Sequence, residues 1–113
     1  MIPLPSASGS KIAVLGLGHS GLAAARALVA SGAHVLAWDD DGDKRQAAVA
    51  AEVPIADLYE TDLSAVATLV LSPGIPHTHP VAAKARAGGL EIICDIELMA
   101  RAETGARFIG VTG

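Results

Sequence analysis

Short apolar runs alternate with helix-forming segments from residue 11 to the end of this 113-residue chain. This alternation constrains the fold more than any other feature, because strands joined through helices form right-handed crossovers and a parallel sheet. The predicted strands are 11–15, 33–38, 53–55, 68–71, 91–94 and 107–111, and the predicted helices are 20–31, 43–51, 80–88 and 95–102. Pro54 weakens the third strand and favours an edge position for it. The sequence therefore predicts an α/β fold with a parallel sheet of about five strands flanked by helices.

Charge and composition exclude several classes of protein. The net charge is −4, and the eight lysines and arginines are scattered, so no basic surface for nucleic acid or an anionic membrane is expected. One cysteine, Cys94, cannot form an internal disulfide, which favours a reducing compartment. The first eleven residues, MIPLPSASGSK, contain two prolines where a signal peptide needs a continuous apolar segment. We expect a cytoplasmic protein.

The segment GLGHSG, residues 16–21, follows the first predicted strand and opens the first predicted helix. It fits the Gly-x-Gly-x-x-Gly pattern of dinucleotide-binding domains and makes the predicted sheet Rossmann-like. Gly16 permits a tight turn, Gly18 lets backbone approach a diphosphate, and Gly21 allows the helix to pack closely on the strand. Ser20 offers a hydroxyl to a phosphate oxygen. The alternative is a tight strand–helix turn that binds nothing.

Acidic residues follow the second predicted strand, at Asp39, Asp40, Asp41 and Asp43. Asp39 is expected to contact a ligand, because its spacing from Gly18 matches the acidic residue that receives ribose hydroxyls in NAD-binding domains. Asp40 and Asp41 fit a solvated turn, and Asp43 fits a helix cap. An additional phosphate on the ribose would be repelled by these carboxylates. A domain that binds NADP would be expected to carry a basic residue here, and the nearest one is Lys44. On spacing alone, NAD or a similar dinucleotide is the leading ligand.

Further unusual residues fall at the same predicted sheet edge, at Ser72-Pro73-Gly74 and at Asp95. Ligands of such sheets bind beyond the carboxyl ends of the strands, so this shared edge is the expected binding site. His77 and His79 lack further metal-ligating partners, and a role in a loop and helix cap is favoured over metal binding. The sequence predicts no metal site and no catalytic residue in this chain.

Four phrases in order, GLGHSG, SPGIPHTHP, DIELMAR and IGVTG, resemble the Mur ligase family, and most of all its D-glutamate-adding branch. The resemblance implies that residues 1–101 form a UDP-substrate-binding domain. It also implies that residues 102–113 are a linker and the first strand of a central ATPase domain. Gly110, Thr112 and Gly113 would begin the ATP phosphate loop. ATP, magnesium and D-glutamate would be bound by domains outside this chain, which would hold no cofactor itself.

The same resemblance assigns roles to individual residues. Gly18, His19 and Ser20 would hold the diphosphate of UDP-N-acetylmuramoyl-L-alanine, and Asp39 and Asp40 would meet its uracil. A further group, after the fourth predicted strand, would border the nucleotide or sugar: Ser72, Pro73 and Gly74. Asp40 and Asp41 stand where relatives often carry threonine and arginine. A carboxylate cannot replace a guanidinium as an anion partner, so the resemblance does not define the detailed uracil contacts.

Two other functions fit the residues without the resemblance. The glycine motif and Asp39 are compatible with the cofactor domain of an NAD-dependent oxidoreductase. The small size and lack of catalytic groups are compatible with a non-enzymatic module that senses a nucleotide and regulates a partner.

Overall fold

A computed structural model describes residues 11–76, 78–94 and 97–98 of the chain. In chain order, the described helices and strands are β1 (Lys11–Leu15), α1 (His19–Ala30), β2 (His34–Trp38), α2 (Gly42–Ala50), a 3₁₀ turn (Leu63–Ala65), β3 (Thr68–Leu71), α3 (Pro80–Ala87) and β4 (Glu91–Cys94). The strands form one sheet in the order β2-β1-β3-β4, with every pairing parallel. The predicted α/β class with a parallel sheet flanked by helices is confirmed, and the described residues contain four strands.

The two central strands are buried on both faces, as their uninterrupted apolar sequences predict. On one face, Ile12 and Val14 pack against Leu28 of α1 and Ala48 of α2. On the other face, the core is formed by Ala13 and Leu15 of β1, residues 58–66, and Val81, Ala82 and Ala85 of α3. Alternate side chains of β1 therefore belong to different cores, one on each face of the sheet, and β1 is one of its two central strands.

The chain leaves β1 toward β2 on one side of the sheet, and β3 pairs with β1 on the other side. Strand order thus reverses between β1 and β3, which is where doubly wound sheets open a crevice beyond their carboxyl ends. Gly16 begins the loop after β1, and Ser72 begins the loop after β3. The two loops are joined at their start, because the Ser72 amide donates a hydrogen bond to the Leu15 carbonyl over 3.0 Å.

Two local predictions differ from the structure. Instead of a strand at 53–55, a single bridge joins Ile55 to Ala37 of β2. Pro54 has no N–H, so pairing is limited to its carbonyl, which accepts from the Ala37 amide at 3.1 Å, and to the Ala56 amide beyond it. The cap of α2 is Asp41 rather than Asp43, since the Asp41 carboxylate accepts from the Asp43 amide.

Several predictions lie outside the described residues: the strand at 107–111, the boundary at 102–113, the phosphate-loop residues Gly110, Thr112 and Gly113, and the residues His77 and Asp95. In the described part of the chain, no helix combines the length and apolar character needed to cross a bilayer.

Candidate functional site

The glycine loop after β1 is pressed against the loop after β3. Gly16 has φ +99°, a conformation that side chains other than glycine rarely adopt. A Cβ on Gly16 would lie 2.5 Å from the Ser72 Cβ and 2.8 Å from the Ile75 Cδ1. The Gly16 amide donates to the Trp38 carbonyl over 2.8 Å. Gly16 is therefore required to close the three loops together, and its amide is already used.

Asp39 fixes the next part of the loop. Its Oδ2 accepts a hydrogen bond from the Leu17 amide at 2.7 Å, and its Oδ1 accepts from the Asp41 amide at 2.8 Å. The residue is buried, with 8% of its surface exposed. Burial of an aspartate requires such partners, because an unpaired buried carboxylate is costly. Asp39 thus borders the site where the spacing predicted it, while both of its carboxylate oxygens bind the protein backbone.

Gly18 opens the site. It is the N-cap of α1, with φ −67° and ψ −170°, and no side chain of the described residues caps this helix end. A Cβ on Gly18 would meet no atom within 4 Å. His19 and Ser20 follow it in the first turn and are exposed. A helix start has amides without intrahelical partners and carries partial positive charge, so this end of α1 is suited to an anion.

An open cavity of about 380 Å³ lies beside this helix end. Its volume falls in the range of small-molecule sites. Five of the predicted site residues line it: Gly18, Asp39, Asp40, Ser72 and Gly74. His19 and Ser20 lie at the adjoining helix start, and Pro73 lies between two lining residues without being one itself. Gly16, predicted as the turn glycine of the motif, also lines the cavity. Five further lining residues were not predicted from the sequence to belong to the site: Asp41, Lys44, Ile75, Pro76 and His79.

Asp40 is the centre of a polar network on the cavity wall. Its Oδ1 accepts hydrogen bonds from the Trp38 Nε1 at 3.1 Å and from the Tyr59 hydroxyl at 2.9 Å. Its Oδ2 lies 2.9 Å from the Nε2 of His79. The hydrogen bond from His79 is the largest cause that holds the pKa of Asp40 below its ordinary 3.8, so the carboxylate is ionised at neutral pH. Loss of contact with water raises the pKa of the Tyr59 hydroxyl, and the neighbouring Asp40 carboxylate, to which the hydroxyl donates, raises it further.

His79 is also the N-cap of α3, and this contact defines its tautomer. The Nδ1 of His79 accepts a hydrogen bond from the Val81 amide at 3.1 Å. A ring nitrogen that accepts carries no proton, so the proton of the neutral ring is on Nε2, which donates to Asp40. Pro80 occupies the first helical position, where its missing N–H costs nothing. The predicted helix-cap role of His79 is confirmed.

Two cations reinforce the site from outside the cavity. The Arg45 guanidinium lies 4.4 Å from the centre of the Trp38 ring and donates to the Asp39 carbonyl at 2.7 Å. The ammonium of Lys84, one turn and a half along α3 from His79, donates to three carbonyls of one turn, those of Leu58, Tyr59 and Thr61. This places the Tyr59 hydroxyl beside Asp40.

The fold and this edge define a class of protein: a Rossmann-like domain whose first helix begins, without a side-chain cap from its N-cap residue, beside an open cavity at the switch point of the sheet. A family model described as Mur ligase MurD-like, N-terminal domain, matches residues 10–94. The chain belongs to this family, which confirms the resemblance seen in the sequence.

Three curated relatives have one enzyme name in common. UDP-N-acetylmuramoylalanine–D-glutamate ligases of Paramagnetospirillum magneticum, Rhizobium meliloti and a Caulobacter species are 50%, 47% and 46% identical to this chain. Each match covers 100% of the chain and 26% of the relative. The chain thus spans about a quarter of the length of the curated relatives that it matches.

Proposed function

We propose that this chain is the substrate-binding domain of a ligase that adds D-glutamate to UDP-N-acetylmuramoyl-L-alanine in peptidoglycan synthesis, and that it binds the UDP part of that substrate. The observation that carries the proposal is the open space at Gly18, at the uncapped start of α1. A side chain there would occupy the position from which a diphosphate can approach the backbone.

The amides available to a diphosphate are defined by those already used. The Gly16 amide binds the Trp38 carbonyl, and the Leu17 amide binds Asp39. The next amides in the chain, those of Gly18, His19 and Ser20, remain at the helix start and would hold the phosphate oxygens. The exposed Ser20 hydroxyl adds a donor. The glycine loop is thereby divided into a part that holds the protein together and a part that binds the ligand.

The remaining cavity walls suit the other parts of the nucleotide. Asp40 and His79 border it on one side, and Ser72 and Gly74 border it on another. In this proposal the uracil lies against Asp40, and Ser72, Pro73 and Gly74 border the nucleotide or sugar. One nucleotide fills half of a dinucleotide cleft, so the other half is left for the muramoyl sugar and its alanine.

The chemistry of the ligase belongs to other parts of the protein in this proposal. Those parts would hold ATP and magnesium: transfer of the terminal phosphate of ATP to the substrate carboxylate would give an acyl phosphate and ADP, and attack by the amine of D-glutamate would form the amide and release phosphate. Residues 1–101 supply the substrate-binding domain, and residues 102–113 lead into the ATPase domain, with Gly110, Thr112 and Gly113 in its phosphate loop. The chain itself binds and orients the nucleotide and catalyses no step.

Calorimetry on the full-length protein tests the binding claim, with UDP-N-acetylmuramoyl-L-alanine, UDP and NADH titrated in parallel. We expect both uridine nucleotides to bind and NADH to bind more weakly. Gly18→Val should abolish binding of the uridine nucleotides while leaving the melting temperature unchanged, because the substitution fills only open space. Gly88→Ala, at the C-terminal end of α3, is a control for adding a side chain to a glycine that does not line the cavity, since Gly88 has φ −84° and a Cβ there would make contacts of 3.4 Å or longer.

An NAD-binding domain is the competing function, and the glycine motif is the observation that favours it. The acidic residue of NAD-binding domains receives ribose hydroxyls, whereas both oxygens of Asp39 accept from backbone amides here. Preferential binding of NADH, or full binding of UDP by Gly18→Val, would overturn the proposal of a UDP site.

A further inference from the structure

We propose that His79 is a positioning residue: it holds Asp40, which meets the uracil in the proposed function, in an orientation that favours uracil over cytosine. This inference rests on the proposed function, because it concerns the base of the same nucleotide. It adds to Asp40 a second residue, 39 positions away in the sequence, that orients the carboxylate meeting the base.

Asp40 is better placed than Asp39 to accept a hydrogen bond from a ligand. Asp39 is buried, and each of its oxygens already accepts from a backbone amide. Asp40 lines the cavity with 57% of its side chain exposed. Its Oδ1 has two donors and its Oδ2 has one, from Trp38, Tyr59 and His79. A carboxylate has about four acceptor positions, so Oδ2 keeps one for a ligand.

His79 gives this carboxylate a fixed direction. Because its Nδ1 is occupied as the cap of α3, the ring presents Nε2–H toward Asp40 and cannot rotate without breaking the bond to the Val81 amide. Only 11% of the His79 side chain is exposed. The Tyr59 hydroxyl lies 3.2 Å from the same Nε2 and donates to the Oδ1 of Asp40, so it contacts both members of the pair.

Helix α3 carries both ends of this support. His79 is at its start, and Lys84 binds the turn that presents Tyr59. Two of the three donors to Asp40 therefore depend on α3, and the third, Trp38, is packed under Arg45. A carboxylate held by donors from separate elements is more rigid than that of an ordinary exposed aspartate. Side chains that contact a ligand discriminate best between similar ligands when supporting residues hold them in place.

The chemistry of the two bases makes this rigidity selective. Uracil has an N3–H, which donates to a carboxylate, whereas N3 of cytosine is an acceptor and would be repelled by one. Cytosine carries a donor on the neighbouring 4-amino group, and a mobile carboxylate could move to accept from it. An Asp40 held by His79 cannot follow, so the fixed orientation turns a general acceptor into one that prefers uracil.

Two substitutions of His79 separate positioning from helix capping. In His79→Asn, the side-chain oxygen takes the place of Nδ1 and caps the helix, but the side chain is too short to reach Asp40. In His79→Gln, the side-chain nitrogen takes the place of Nε2 and donates to Asp40, while the cap is lost. One variant thus preserves each of the two contacts. Asp40→Asn, which can both donate and accept, tests the selective group itself.

The experiment is calorimetry of UDP and CDP on the full-length protein and on each variant, with the melting temperature as a second readout. We expect UDP to bind the wild type about tenfold more tightly than CDP, the worth of one hydrogen bond to a charged group. The ratio should fall to about twofold in His79→Asn and Asp40→Asn, as that bond is lost, and stay near the wild-type value in His79→Gln. The melting temperature should fall in His79→Gln rather than in His79→Asn.

The outcomes separate a failure of the proposed function from a failure of this inference alone. If UDP does not bind the wild type, both fail. If UDP binds in a manner that depends on Gly18 but the wild type binds CDP equally well, only the role of Asp40 is overturned. If the UDP-to-CDP ratio follows the melting temperature, falling in His79→Gln and not in His79→Asn, then His79 acts only as a helix cap and the positioning role is wrong.

Discussion

Gly16 offers the sharpest test of how the glycine loop is built, because two independent obstacles oppose a side chain there. Its φ of +99° is unfavourable for alanine, and the added Cβ would lie 2.5 Å from the Ser72 Cβ. The Ser72 Cβ cannot yield easily, since the Ser72 amide is bonded to the Leu15 carbonyl and the Ser72 carbonyl accepts from the Ile75 amide. Gly16→Ala must therefore separate the loops after β1 and β3.

The expected cost is the sum of the two effects. A non-glycine residue in a strained backbone conformation costs about 1–3 kcal/mol, and inserting a methyl group into closed packing costs about as much again. We expect Gly16→Ala to lower the free energy of unfolding by on the order of 3 kcal/mol. Gly18→Ala, two residues on, should change it by less than about 0.5 kcal/mol, because its backbone is extended and the space is open.

Urea denaturation of the two variants beside the wild type measures both values. The pair is matched in chemistry, since each variant adds one methyl group to the same loop. A Gly16→Ala protein as stable as the wild type would refute the close approach of the two loops. Equal destabilisation of both variants would refute the division of the loop into a structural part and an open part.

Three further outcomes are expected. Asp39→Ala should lower the free energy of unfolding by on the order of 3 kcal/mol in urea denaturation, because it leaves the buried Leu17 amide without its acceptor; an unchanged midpoint would contradict this. Lys84→Met should cost about 1–2 kcal/mol in the same assay through loss of its carbonyl contacts, and an unaltered stability would show that they contribute nothing. The pKa of Asp40 is lowered on folding, so its contribution to stability is present above the unfolded pKa and is lost as pH falls through the folded one. The melting temperature of wild type relative to Asp40→Asn should thus be constant above about pH 5 and fall below about pH 4, and a pH-independent difference would contradict the coupling to His79.

The part of the fold that depends on local pattern was predicted from the sequence. The apolar run at 11–15, the glycines after it and the helix that follows are all specified by neighbouring residues. The same is true of His79 and Pro80, whose order predicts a helix start. At 53–55, pattern alone was insufficient, because Pro54 removes a hydrogen-bond donor and reduces the predicted strand to one bridge.

The sequence predicted where the candidate site residues meet better than it predicted which contacts they make. Parallel strands bring their ends to one edge, so the positions of Gly18, Asp39 and Ser72 followed from the order of the elements. The direction of each side chain did not. Asp39 turns to the Leu17 amide because that buried donor needs an acceptor, and no sequence signal reveals such a need.

The polar network could not be read from spacing at all. Asp40 and His79 are separated by 39 residues, and Tyr59 reaches them from a loop that is positioned by Lys84. Each contact depends on how α3 lies on the sheet, which is set by packing of small apolar residues such as Ala82 and Ala85 in the core. Histidine, tyrosine and aspartate are common enough that only the assembled fold identifies them as a unit.

The most direct test of the proposed site is an amide-resolved NMR titration of the protein with UDP. The diphosphate should shift the amide resonances of Gly18, His19 and Ser20 most strongly, leaving those of Gly16 and Leu17 less affected, because the latter already bind protein acceptors. Largest shifts around the separate cavity formed by Arg26, Val29, Ala30, Ala51 and Glu52, or no shifts at the start of α1, would contradict a diphosphate site there.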